Sequence, residues 1–266
     1  MIRRISNKIV KKINEKRPIK LEYNYTSQTQ EFFGKKALII GGGTGIGFAI
    51  ADELLKSGAD ITILGRKKHN IDNMKSVAID VSDIENLEHN LEKLDKEYGN
   101  FDIIVNAQGI CPEPDFMQKF NDIDQLDFEN VMRTNCESVF FVCQHYISYY
   151  LKNDIEGNIL NICSTEGLKG CVVPYGISKA AVISLTKGLG KRYAAENIVI
   201  NGIAPGATAT QMMGMRSDGD LRKDYIPSKR ASVPQEIAKT ASFLLSDTGR
   251  QMCGQIVTVD GGESLH

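Results

Sequence analysis

The chain has 266 residues, 42% of them hydrophobic and 24% charged, with a net charge of −1. That balance supports a sizeable core and excludes a nucleic-acid binder working through overall positive charge. No apolar run approaches the ~20 residues that span a bilayer, so no transmembrane segment is expected.

Residues 1–30 stand apart as a basic extension. The first 20 carry eight Lys/Arg and one acid, with Ile2, Ile5, Ile9 and Ile13 at helical spacing ahead of Pro18. The pattern predicts a short amphipathic helix that contacts another subunit or an anionic surface, or else a solvated arm. An organelle presequence is disfavoured because Arg and Ser are sparse.

From Lys36 onward, short β-branched runs alternate with longer helical patterns. The predicted strands are Ala37–Ile40, Asp60–Leu64, Ser76–Ile79, Ile103–Asn106, Asn158–Ile162, Ile198–Ile203 and Gln255–Val259. The predicted helices are Phe48–Ser57, Ile84–Tyr98, Phe128–Leu151, Tyr175–Ala195 and Pro234–Ser246. Such alternation argues for a parallel sheet with helices on both faces. No linker or repeat interrupts it, so residues 31–266 are expected to form one domain.

The first strand runs into "LIIGGGTGIGFAIADELL", a glycine cluster followed by a helix. Glycines let a backbone approach a diphosphate, and a helix N-terminus offers N–H groups and a positive dipole end. The spacing is G-x-x-x-G-x-G (Gly41, Gly45, Gly47) rather than G-x-G-x-x-G, and no P-loop Gly-Lys-Ser/Thr follows. A turn made only for tight packing is the competing reading. About 20 residues on, an NAD site places an acid for the ribose 2′-hydroxyl. Here Gly65 is followed by Arg66, Lys67 and Lys68. A guanidinium pairs with a 2′-phosphate where an acid would repel it, which favours NADP over NAD.

"PYGISKAAV" places Tyr175 and Lys179 one helical turn apart. A nearby cation lowers a phenol's pKa toward the range where it exchanges protons. Bringing a phenol from ~10 to ~7 takes about 4 kcal/mol, and one cation gives only ~1–3 units, so Lys179 is expected to need help. The six cysteines contain no CxxC and are expected reduced, in a cytoplasmic protein. The four histidines form no metal-binding motif. A serine hydrolase is excluded, because "GISKA" lacks the last glycine of G-x-S-x-G and no histidine follows until His266.

From Lys36 to Gly262 the chain resembles the short-chain dehydrogenase/reductase family. Six motifs carry the resemblance in order: the loop Ile40-Gly41 to Gly47, Asp80-Val81, Asn106-Ala107-Gln108-Gly109, Asn135, Ser164 with Tyr175 and Lys179, and "NGIAPGATAT" followed by "VDGG". The resemblance implies a Rossmann-like, doubly wound parallel sheet of about seven strands. It implies a nicotinamide cofactor held by Gly41, Thr44, Gly45, Ile46, Gly47, Arg66, Asp80, Val81, Asn106, Ala107, Gly109, Tyr175, Lys179, Pro205, Gly206, Thr208 and Thr210. It assigns acid/base work to Tyr175, substrate-oxygen binding to Ser164, the cofactor ribose to Lys179, and a water linking Lys179 to solvent to Asn135. It also implies a homodimer or homotetramer built on the helices Phe128–Leu151 and Tyr175–Ala195.

Three departures stand out. The Ser164-to-Tyr175 spacing of 11 residues is short, so the loop over the substrate should be tight. Only 13 residues separate Arg66 from Asp80, which leaves room for a stub of helix. Gln108 replaces a small residue, which would set a polar group beside cofactor or substrate. Glu166 either faces the substrate or is a solvated loop acid. The expected activity interconverts a secondary alcohol and a ketone using NADP(H). Two other readings stay open: a 3-oxoacyl-thioester reductase and a catalytically idle NADP-binding sensor or scaffold. The segment from Gln211 to Ser228 is expected to form a lid, with Met212, Met213 and Met215 as an apolar wall. Arg216, Arg222 and Lys223 would hold a phosphate or carboxylate there, which tilts the substrate toward a polar carbohydrate or polyol ketone.

Overall fold

A parallel sheet must be covered by helices on both faces, and this chain builds one of seven strands. The computed structural model describes Lys20, residues 30–112 and residues 119–265. The helical pattern from Ile2 to Ile13 lies outside the described residues. The strands are β1 (Lys36–Ile40), β2 (Asp60–Gly65), β3 (Met74–Ala78), β4 (Ile103–Asn106), β5 (Gly157–Ile162), β6 (Ile198–Pro205) and β7 (Ile256–Val259). They form one sheet in the order β3-β2-β1-β4-β5-β6-β7, with every neighbouring pair parallel. The helices are α1 (Gly45–Lys56), α2 (Ile84–Tyr98), α3 (Gln125–Met132), α4 (Ser138–Asn153), α5 (Pro174–Tyr193) and α6 (Pro234–Leu245). None of the described helices is long and apolar enough to cross a membrane.

Alternate residues of each strand feed opposite cores. Leu38 and Ile40 of β1 pack with Leu87 and Leu91 of α2, Tyr146 of α4 and Val182 of α5. Ala37 and Ile39 pack with Ile50 and Leu54 of α1 and with Ile237 and Leu244 of α6. Each such aliphatic side chain, removed from water, contributes about 1.5–3 kcal/mol.

The chain starts at the centre of the sheet, winds outward to β3, then returns across β1 to β4. Ile40 therefore pairs with Leu64 on one side and Asn106 on the other. A crevice opens where the winding reverses, beyond the carboxyl ends of β1 and β4, and ligands of such sheets bind there.

Two expected elements differ. No helix forms between β2 and β3; residues 66–73 make a turn that ends at Asn73 with φ of 61°. A helical crossover needs about a dozen residues or more, and this connection is shorter. The predicted helix Phe128–Leu151 starts earlier, at Gln125, where the Asp124 carboxylate accepts from the Leu126 N–H at 2.7 Å. It is interrupted by a π turn over Arg133–Glu137 before continuing as α4.

Helix α5 approaches the β6–β7 connection without an intervening side chain. A β-carbon on Gly190 would strike the Gly254 backbone and lie 2.9 Å from the Ile200 carbonyl oxygen. Neither neighbour is a flexible side chain, so the strain has no cheap outlet. Gly190→Ala is expected to destabilise the fold by about 1–3 kcal/mol, as overpacking does. Chemical denaturation measures this, and an unchanged midpoint contradicts the packing described.

Candidate functional site

At the end of β1 the backbone is held so closely that side chains have no place. Gly41 has φ of 76°, and its N–H donates to the Leu64 carbonyl at 2.7 Å. A β-carbon there would lie 2.8 Å from the Ala107 carbonyl carbon, and one on Gly47 would collide with the Gly41 carbonyl. The loop is thus pinned between β2 and β4 and delivers the N-terminus of α1 to the crevice. Thr44 precedes α1 in extended conformation without capping it through its side chain, and no acid lies in the first turn. An uncapped helix start with its positive dipole end facing a cleft fits a diphosphate.

The cleft has a volume of about 1350 Å³, which is ample for a dinucleotide and a small substrate. Thr44 to Gly47 line one wall, and Arg66, Asp80 and Val81 line the far end beyond β2 and β3. Ala107 and Gly109 line its floor after β4, and Pro205, Gly206, Thr208 and Thr210 follow β6. Ser164, Tyr175 and Lys179 complete it. Asn106 and Asn135 do not line the cleft. Asn106 is buried behind it, donating to Asn161 Oδ1 at 2.9 Å, and Asn161 in turn donates to Thr186 Oγ1.

Asn135 sits in the π turn and is fully buried. Its Oδ1 accepts from the Ile110 N–H at 2.8 Å, and its Nδ2 donates to the Ile110 carbonyl and to Ser178 Oγ. A β-carbon on Gly109 would lie 3.5 Å from both Asn135 Oδ1 and Lys179 Nζ, so that glycine marks where the two side chains converge. Lys179 is buried and donates to the Ile162 carbonyl at 2.8 Å. Burial holds its pKa below the usual lysine value.

Ser164 follows β5 and accepts from the Glu166 N–H at 3.2 Å. It also hydrogen-bonds the Tyr175 hydroxyl. The loop between them is tight, as the short spacing predicts. A β-carbon on Gly167 would lie 2.6 Å from the Lys179 carbonyl carbon, and one on Gly176 would lie 2.7 Å from Cys171 Cβ.

Burial dominates the electrostatics of Tyr175, and Lys179 does not overcome it. Burial pushes the phenol up to about 12, outweighing the lowering by the Ser164 hydrogen bond, and Glu166 adds to the rise. The Lys179 ammonium stands 5.9 Å from the centre of the Tyr175 ring. In the protein by itself, Tyr175 therefore holds its proton firmly.

Gln108 lines the cleft, as expected: its Nε2 donates to Ser138 Oγ at 3.0 Å and to Asn106 Oδ1 at 3.4 Å, while its buried Oε1 has no hydrogen-bond partner among the described residues. Two further expectations are corrected. The lid cations do not line the cleft. Arg216 forks onto Asp218 at 2.9 and 2.8 Å, and Arg222 pairs with Asp224 at 3.3 Å, so neighbouring carboxylates neutralise both. Met212 and Met213 do line the cleft, whereas Met215 packs on the small cluster of Ala209, Leu221 and Val233. Glu166 lines the cleft and also pairs with Lys169 at 2.7 Å.

Sequence reasoning passed over His69, Tyr225 and Glu263, all of which line the cleft. Glu263 Oε2 is buried without a hydrogen-bond partner among the described residues. It follows the "VDGG" turn, whose Gly261 and Gly262 press against Ser228 and Pro227 of the lid segment. Nothing in the one-dimensional pattern joins positions 225 and 263; the turn's contact with the lid does.

Known proteins share this arrangement. A family model described as enoyl-(acyl carrier protein) reductase matches residues 41–264. The chain is 35% identical over 244 residues to 2-dehydro-3-deoxy-D-gluconate 5-dehydrogenase of Dickeya dadantii, covering 86% of this chain and 95% of that one. It is 31% identical over 245 residues to 3-oxoacyl-[acyl-carrier-protein] reductase FabG of Chlamydia pneumoniae, covering 86% and 96%. Among solved structures, 3-ketoacyl-(acyl-carrier-protein) reductase from Brucella melitensis, complexed with NADH, superposes with a TM-score of 0.79 at 28% identity, covering 88% of this chain and 100% of that one. A putative 2-deoxy-D-gluconate 3-dehydrogenase from Agrobacterium tumefaciens with bound NADP gives 0.77 at 30% identity, covering 90% and 100%.

The raised phenol has a direct spectroscopic consequence. The ultraviolet pH titration of the cofactor-free protein, minus that of Tyr175→Phe, is expected to show phenolate forming with a midpoint near 12. A difference signal with its midpoint below the ordinary tyrosine value of ~10 contradicts burial as the governing influence.

Proposed function

The chain belongs to the short-chain dehydrogenase/reductase family, and on that premise we propose that it interconverts a secondary alcohol and a ketone, with NADP preferred over NAD. The observation that carries this reading is the Tyr175 hydroxyl, bonded to Ser164 and backed by the buried Lys179 at the inner end of a dinucleotide-sized cleft. The nicotinamide, when bound, supplies or accepts the hydride. Tyr175 gives its proton to the carbonyl oxygen during reduction and retrieves it during oxidation. Ser164 Oγ donates to the same oxygen as negative charge grows there. Lys179 holds the nicotinamide ribose and stabilises the tyrosinate. Asn135 fixes the Ile110 backbone and the α5 turn so that a proton path to Lys179 stays open.

The preference for NADP is supported by Gly65 at the end of β2 and by Arg66 and Lys67 directly after it, and the nearby Asp80, which follows β3, has its Oδ1 engaged by Ser82. The similar structures include both an NADP and an NADH complex, so support for NADP comes from the residues of this chain. For the substrate we favour a polyol or carbohydrate-like ketone. Glu166, Tyr225 and Glu263 offer hydroxyl-binding groups, and the sugar-acid dehydrogenase similarity agrees. The carboxylates beside Arg216 and Arg222 take the place a substrate phosphate would occupy on those cations. A 3-oxoacyl thioester is the second reading, favoured by the Met212 and Met213 wall and by the similarity to FabG.

We further place the protein in the cytoplasm, consistent with six free thiols. Assembly as a homodimer or homotetramer through α4 and α5 is supported by exposed Phe140, Leu151 and Ile177 on those helices. The basic residues 1–30 would add to that assembly or bind an anionic surface.

The test is turnover by the purified full chain with NADPH and NADH against ketoses, polyols and 3-oxoacyl thioesters. NADPH with a ketose is expected to be the productive pair, and Tyr175→Phe should lower kcat/KM by about 10²–10⁴-fold while NADPH binding persists. No turnover across the panel overturns the reading in favour of an idle cofactor-binding protein, and turnover that Tyr175→Phe leaves intact overturns the acid/base role of Tyr175.

A further inference from the structure

The turn that replaces a crossover helix between β2 and β3 does something a helix would not. His69 N–H donates to Ser76 Oγ at 2.9 Å, which ties the middle of the turn to β3. Ile71 packs partly into the core on the α1 face. Thus anchored, the His69 side chain folds back over the glycine loop. A β-carbon on Gly43 would collide with the Nε2 edge of the imidazole, 2.6 Å from Cδ2 and 2.7 Å from Cε1. The ring fills the space that a side chain at position 43 would take, and it faces the cleft beside Arg66 and Lys67. The Asp80 carboxylate at this end of the cleft is already engaged, with Oδ1 accepting from the Ser82 N–H and hydroxyl.

We infer that His69 is a cofactor-specificity residue, an imidazole held against Gly43 to donate to the 2′-phosphate of NADP. This rests on the proposed nicotinamide reading and adds to it a chain-specific device. Arg66 and Lys67 are exposed, so solvent and salt weaken their pull on a phosphate. His69 is half-buried, its turn is tied to β3 and its ring lies against Gly43, so the imidazole is confined at the cleft before the phosphate arrives. NAD carries a hydroxyl in place of those phosphate oxygens and gains far less from the same donor.

The test is the dissociation constant of NADPH and of NADH, read from nicotinamide fluorescence, for the full wild-type chain, His69→Ala and His69→Leu. Wild type is expected to prefer NADPH. Both variants should weaken NADPH about tenfold and NADH less than about twofold; Leu, similar in bulk but without a donor, separates hydrogen bonding from packing. Equal weakening of both cofactors, or a preference retained in His69→Leu, overturns the inference and leaves the reductase reading standing. A wild-type chain with no NADPH preference removes both the NADP reading and this inference.

Discussion

A buried ammonium organises this site. Lys179 extends from α5 to the carbonyl of Ile162 at the carboxyl end of β5 and is almost wholly removed from water. Taking a cation out of water costs several kcal/mol, and a hydrogen bond to a charged group returns only about 1.5–3. The remainder must come from packing that fixes α5 against the sheet. That packing is visible in Gly190, where α5 meets the Gly254 backbone, and in Gly167, where the loop after β5 rests on the α5 backbone. The chain of Asn106, Asn161 and Thr186 ties β4, β5 and α5 together beneath the cleft. A close-packed, hydrogen-bonded floor is what permits a lysine to be held there.

The same burial decides what Tyr175 can do. With its pKa pushed up to about 12, the phenol is a proton donor in the free protein at neutral pH. Acting as a base near neutrality would require a downward change of about 5 units, roughly 7 kcal/mol. A single cation supplies ~1–3 units, so the ammonium needs a second positive charge beside it. Reduction and oxidation are therefore unequal demands on this residue: the first uses the proton burial retains, the second needs charge to release it.

Much of this was legible in one dimension. The β-branched runs at 37–40, 103–106 and 198–203 correspond to strands because apolar pattern and burial coincide in a parallel sheet. Gly41 and Gly47 were readable as a close-approach loop, and Tyr175 and Lys179 as a pair, because their spacing is local; Ser164 joined them only through the family resemblance. The π turn at Arg133–Glu137 was not, since one extra residue in a helix leaves no mark in a periodic pattern. The Arg216 and Arg222 pairings were misjudged because rotamers and partners depend on neighbours in space. His69 over Gly43, and Glu263 beside the lid, are contacts across chain segments that no single window contains.

The claim that charge, set against burial, governs the Tyr175 proton is tested most directly by the pH dependence of kcat/KM for alcohol oxidation in wild type and Lys179→Met. Oxidation needs the phenolate, so activity rises through the tyrosine's apparent pKa. The account predicts that this limb lies well below the free-protein value of about 12 in wild type. In Lys179→Met it should move to higher pH by about one unit or more, the loss expected for one nearby cation. A limb that stays in place, or moves to lower pH, contradicts the account.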